Sequence, residues 1–243
     1  MSSRRSFLQS ISVASATAMA VPSILQASNK RDDAQVAPES LKFHIGFAGY
    51  SFVKFDLDQT LQMMNRLQVK YLSVKDFHLP LNSSSDQIAA VQKKFADKGV
   101  IPYTVGVIYM KTKQEVDRAF DYAKSFGVDM IVGVPDEALL TYVEEKVKST
   151  NIKMAIHNHG PEDKLYPTPK SIYDRIQKMD KRMGLCIDIG HTFRAGVLPE
   201  QAIMQYADRL FDLHIKDEEA MRADAKTIEI GRGAINFSAV LDV

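Results

Sequence analysis

Cysteine is nearly absent from this chain. Cys186 is alone, which rules out an intramolecular disulfide. Excess charge is missing too: 31 basic and 30 acidic residues leave a formal charge of +1, a balance that recruits neither nucleic acid nor an anionic membrane. No Gly-x-Gly-x-x-Gly follows the first strand-like segment, which reads AGYSF. That argues against a doubly wound sheet with a phosphate-binding loop. The one apolar run near the N-terminus is short and broken by Ser, Thr and Pro22, so it does not make a stable membrane span. No internal linker marks a second domain. What is present is an ordinary globular composition, 45% apolar and 25% charged over 243 residues, enough for one large core.

The first 28 residues stand apart. Arg4-Arg5 is followed by Phe7-Leu8 and an Ala/Ser-rich run ending near Ala27. Ser3-Arg4-Arg5-Ser6-Phe7-Leu8 resembles a twin-arginine export signal. A frayed or amphipathic N-terminus is the plainer alternative, but these features together favour the signal. The resemblance implies a bacterial periplasmic protein carried folded by the twin-arginine export machinery, often with a cofactor inside. Residues 29–40 read as a polar linker, and the folded domain is expected over 41–243.

From residue 41 strand and helix signals alternate. The segments 43–52 and 71–79, IPYTVGVIY, DMIVGVP, IKMAIHNHG, MGLCIDIGH and LFDLHIKDEE read as seven strands. Between them lie helical patterns with Leu61, Met64 and Leu67 in step, then Ile88, Val91 and Phe95 with Gly99 at the C-terminal end. A hairpin-like piece, TIEIGRGAINF, comes last before a helix starts near Ser238. Seven such repeats predict a parallel sheet with helices outside, a (β/α)8 TIM barrel cut short before strand eight.

Three consecutive strands share one pattern. In the fifth, His157 and His159 are expected on the face opposite Met154 and Ile156. In the sixth, Gly184, Cys186 and Asp188 oppose Leu185, Ile187 and Ile189; in the seventh, Asp212, His214 and Lys216 oppose Phe211, Leu213 and Ile215. The large aliphatic residues are expected toward the helix layer, so His157, Asp188 and His214 face the barrel axis near the C-terminal strand ends. Each alone is more simply a hydrogen-bonded core histidine or a helix cap. Together, two imidazoles and a carboxylate are most simply reconciled by one divalent cation of the Mn, Zn, Co or Fe type. Cys186, one pleat below Asp188, reads as packing rather than as a nucleophile.

The segments AIHNHG, CIDIGH and LHIKD resemble the xylose-isomerase-like TIM barrel superfamily of sugar isomerases and epimerases, from about residue 41 onward. The resemblance implies a metal-binding Glu at the end of strand five, where this chain has His157, and another on strand eight, beyond Val243. It also implies a sugar or keto-sugar substrate and a carbonyl polarised by the metal, beside which a side chain removes a proton. His159 and His191, the latter in the loop above the site, are the candidate bases, because imidazole titrates near working pH. Lys216 is a candidate for polarising a sugar oxygen, with pairing to Asp212 or Asp217 equally open. Arg232, between Gly231 and Gly233, is a candidate substrate ligand, with a solvent-facing turn arginine equally open. Lys75 and His78 are placed at the mouth of the barrel. Phe47, Tyr50, Phe52 and Tyr109 can stack on sugar rings, although core packing is the simpler role.

The expected activity is therefore a metal-dependent sugar isomerase or epimerase. A keto-sugar or keto-inositol lyase or dehydratase on the same site is the alternative, and a non-catalytic sugar-binding relative is the non-enzyme one. A nuclease is disfavoured, because further metal-binding His and Glu positions and a basic face are lacking.

Overall fold

The computed structural model of the chain describes residues 43–243; the expected export signal and polar linker lie outside them. The elements in chain order are β1 Gly46–Ala48, α1 Leu57–Leu67, β2 Tyr71–Val74, α2 Ser85–Asp97, β3 Ile101–Met110, α3 Lys113–Phe126, β4 Met130–Pro135, α4 Leu140–Thr150, β5 Lys153–His157, α5 Pro169–Ile176, β6 Met183–Asp188, α6 Ile189–Arg194, α7 Pro199–Gln205, β7 Leu210–His214, β8 Asp217–Glu218, β9 Thr227–Ile228 and α8 Phe237–Leu241. Strands β1 to β7 form one parallel sheet in sequence order. Strands β8 and β9 make a separate antiparallel pair. Among the described residues no strand joins β1 to β7. This is the barrel architecture expected from the alternation, with seven strands.

Local signals set the helices. Asp56 with Gln59, Ser84 with Gln87 and Thr112 with Glu115 form reciprocal capping boxes at the starts of α1, α2 and α3. Gln68, Gly127 and Asn151 end α1, α3 and α4 in the left-handed conformation. The helices bury apolar faces such as Leu61 and Met64, or Ile88 and Phe95, against the sheet. Leu67, expected on the same face, is the last residue of α1 and is exposed.

The sheet curls. Tyr103 on β3 donates its hydroxyl to Asp212 Oδ2 on β7 at 3.1 Å, across the three strands between them, and only a concave face allows that approach. A small inner cluster fills the concavity: Met130, Val132, Ala155 and Cys186, with Tyr103, Val107 and Phe211 against it. Burial raises the Asp212 carboxyl to about 6 against the hydrogen bond from Tyr103.

Three strand expectations are corrected. Strand one is short, because the chain turns into a 3-10 helix at Gly49–Phe52. Strand six stops at Asp188, whose carboxylate caps α6, so His191 sits on a helix and not in a loop. Phe211 turns inward rather than toward the helix layer. The register passes from Leu185↔Leu210 to Cys186↔Asp212, leaving Phe211 as an extra residue at a bulge. Its ring occupies the space beside Gly184, where any Cβ would come within 2.4 Å of it.

Arg209, just before β7, is almost wholly buried. Its guanidinium donates to the carbonyls of Gln177, Met179, Asp180 and Met183 at 2.7–2.9 Å. It thereby ties the end of α5 and the start of β6 to β7. Arg209→Met leaves these acceptors without their charged donor, and unfolding stability in urea is expected to fall by about 3–5 kcal/mol. Arg209→Lys, which keeps the charge but not the planar fork, is expected to fall between the two proteins.

Candidate metal centre

Register decides which side chains meet. His157 on β5 lies opposite Cys186 on β6, and Asp188 on β6 lies opposite His214 on β7. Neighbours in register share a face of the sheet, so the site has two tiers: His157 with Cys186 below, Asp188 with His214 above. Four of the six histidines converge here. The His157 ring lies 4.5 Å from His159, 4.6 Å from His214 and 6.0 Å from His191, centroid to centroid. β5 ends at His157, so His159 reaches the cluster from the loop and not by strand alternation. Its N–H bonds the Tyr166 carbonyl at 2.9 Å.

Asp188 is the hub. Its Oδ1 accepts the His191 backbone N–H at 2.9 Å, capping α6. Its Oδ2 lies 2.9 Å from Lys216 Nζ and 3.4 Å from His157 Nε2. Burial works against the charge, but His157, Lys216 and His191 together hold the carboxyl well below the usual carboxylate range. Lys216 Nζ also lies 3.3 Å from His191 Nε2. Of its open alternatives Lys216 thus takes neither Asp212 nor Asp217, but Asp188.

The loops are fitted to this hub. Asn158, fully buried, accepts the Asp188 N–H on Oδ1 at 2.9 Å, and its amide donates to the Asp188 carbonyl and Thr192 Oγ1. Gly160 adopts φ +89° with His191 Nδ1 only 3.1 Å from where a Cβ would sit. At Gly190 a Cβ would lie 2.3 Å from Lys216 Cγ and 2.6 Å from Glu218 Oε1, so glycine lets both side chains cross over α6. Above the cluster, Tyr109 stacks on His159 and its hydroxyl lies 2.9 Å from His159 Nε2.

The histidines are poor in partners. Among the described residues neither ring nitrogen of His157 finds a hydrogen-bond partner, although the residue is only 4% exposed, and His214 Nε2 finds none. The 3.4 Å approach of His157 to Asp188 lacks hydrogen-bond geometry. A buried unpaired nitrogen costs about 1–3 kcal/mol. Burial first, and the neighbouring His157 next, lower His214 to about 3 and His159 to about 4. Burial, with Lys216 and His157, lowers His191 to about 4. Neutral imidazoles with free lone pairs beside a carboxylate suit a divalent cation. One donor atom each from His157, Cys186 and His214 lie within 4.8 Å of one another. The Cys186 thiol, raised by burial and by Asp212 and Asp188, is protonated without such a cation.

The remaining expected ligands stand elsewhere. Lys75 Nζ donates to the Val107 carbonyl at 2.8 Å and pairs with Asp76 at 3.0 Å. His78 Nε2 bonds the Phe55 carbonyl and Thr60 Oγ1, which anchors it at the start of α1. Arg232 is exposed and, among the described residues, pairs with Glu229 at 4.0 Å. Its flanking Gly231 and Gly233 direct their N–H groups to Asp217 and not outward. Asn158, assigned no role from the sequence, and Tyr109, read as packing, belong to the site.

Residues 48–243 match the sequence profile of the family described as Xylose isomerase-like TIM barrel. Among curated proteins none matches. Solved structures do. An uncharacterised protein from Parabacteroides distasonis is 26% identical with a TM-score of 0.63, over 74% of this chain and 78% of that one. The IolI protein with a bound zinc atom is 17% identical with a TM-score of 0.69, over 82% and 84%. A D-tagatose 3-epimerase-like protein is 18% identical with a TM-score of 0.67, over 82% and 85%.

Asn158→Ala removes the partner of the Asp188 N–H. Urea unfolding is expected to show a loss of about 1–3 kcal/mol, and bound-metal titration a 10- to 100-fold weaker site. Arg232→Ala is expected to change neither.

Proposed function

This chain belongs to the xylose isomerase-like TIM barrel family, and we propose that it is a metal-dependent sugar isomerase or epimerase. The observation that carries the reading is a pair of imidazoles, buried His157 and half-buried His214, with ring nitrogens that lack a hydrogen-bond partner among the described residues, beside the ionised Asp188. The zinc bound in the IolI protein and the likeness to a D-tagatose 3-epimerase-like protein support it. The proposed holders of the cation are His157, Asp188 and His214. A divalent cation there supplies Lewis-acid polarisation of a carbonyl, which acidifies the adjacent C–H.

The side chains supply the rest. His159 is neutral and faces Asp163 Oδ2 at 3.8 Å through Nδ1, which favours Nδ1–H and leaves Nε2 basic. Tyr109 Oη bonds that Nε2, so a substrate takes the place of the phenol when His159 acts as base. His191, with its ring centroid 6.0 Å from that of His159, is placed to return a proton from a second direction. Two groups on different sides of one carbon suit epimerisation; one group shuttling between neighbouring carbons suits isomerisation. Lys216, on a flexible stem, is proposed to leave Asp188 for a substrate oxygen. The substrate class is a free or oxidised sugar. The export signal read at Ser3–Leu8 supports a periplasmic address, where phosphorylated sugars are uncommon.

The test is elemental analysis followed by incubation with ketoses in deuterated water. Stoichiometric metal, lost in Asp188→Asn, and deuterium beside the carbonyl without loss of a leaving group are expected. His159→Ala should slow exchange by on the order of 10²–10⁴. Deuterium with elimination would make the enzyme a lyase. Sugar binding without exchange would make it a binding protein.

A further inference from the structure

We propose that Cys186 is a thiolate ligand to the cation held by His157 and His214, so that the centre selects thiophilic ions such as zinc or cobalt. This deepens the metal-dependent reading above and rests on it. Three observations carry the inference. Cys186 shares a tier with His157, because the two are register partners on adjacent strands. Donor atoms of His157, Cys186 and His214 lie within 4.8 Å of one another. The imidazoles are not committed elsewhere: His157 is 4% exposed with both ring nitrogens unpaired, and His214 Nε2 is unpaired as well.

Asp188, by contrast, is already engaged. Oδ1 holds the His191 N–H and Oδ2 holds Lys216. Zinc bonds of about 2.0–2.3 Å in a tetrahedron place neighbouring donors roughly 3.3–3.8 Å apart. Binding requires the donors, now within 4.8 Å of one another, to draw in to that spacing. Around the sulfur the inner cluster is apolar, with Met130, Val132 and Ala155 beside it. A cation there would be held by His157 and the Cys186 sulfur from the lower tier and by His214 from the upper one, with the Asp188 carboxylate free to join once Lys216 has moved. A soft sulfur donor disfavours magnesium and manganese relative to zinc and cobalt. When the cation binds, the S–H bond breaks, a sulfur–metal bond forms and the proton leaves to water. Nothing is oxidised or reduced.

Titrating the metal-free full-length chain with Co²⁺ and with Cd²⁺ tests this. A thiolate-to-metal charge-transfer band in the ultraviolet, saturating at one equivalent, is expected. In Cys186→Ser the band should vanish and Cd²⁺ affinity fall at least tenfold. Zinc-edge absorption of the unsubstituted protein keeps the test open if that variant does not fold: one sulfur at about 2.3 Å is expected. Cation bound at one equivalent without the band and without a sulfur neighbour overturns the thiolate and leaves the metal-dependent reading standing. Failure to bind any cation overturns both.

Discussion

The structure turns on one buried carboxylate. Asp188 has almost no contact with water, and an isolated charge there would be untenable. It is made tenable by Lys216 on one oxygen, the first turn of α6 on the other, and Asn158 clamping its backbone. Each of those contacts places another part of the site. The helix carries His191 back over the barrel, Asn158 fixes the loop that carries His159, and Lys216 crosses above Gly190. Remove the charge, and three elements lose the point that orients them together.

Register then sets the depth of each donor. The β5–β6 pairing lifts His157 only to the level of Cys186, while β6–β7 pairing brings His214 level with Asp188. The histidines consequently bridge two tiers. That arrangement brings donor atoms of His157, Cys186 and His214 within 4.8 Å of one another, and it separates the apolar floor from the polar mouth. Burial first, and the neighbouring His157 next, lower both His159 and His214.

Much of the fold was legible in the sequence, because its signals are local. Capping pairs such as Thr112 with Glu115, and apolar residues in helical step, fix the helices without help from the rest of the chain. Strand parity predicts that His157, Asp188 and His214 face one region, and the structure has His157 beside both Asp188 and His214. What parity could not reveal is non-local. The bulge that turns Phe211 inward depends on pairing between β6 and β7. The early end of β6 was signalled by Asp188 itself, a good helix cap, but a strand reading of CIDIGH masked it. Residue type alone also leaves the surroundings of His78 and Arg232 unread: the Phe55 carbonyl bonds one, and an exposed turn beside Glu229 carries the other.

Anomalous diffraction at the zinc edge, from crystals of the full-length chain grown with zinc, addresses the cation directly. A single strong peak within bonding distance of both His157 and His214 is predicted. Zinc found only on surface carboxylates, with the His157 and His214 rings apart and unligated, would contradict it.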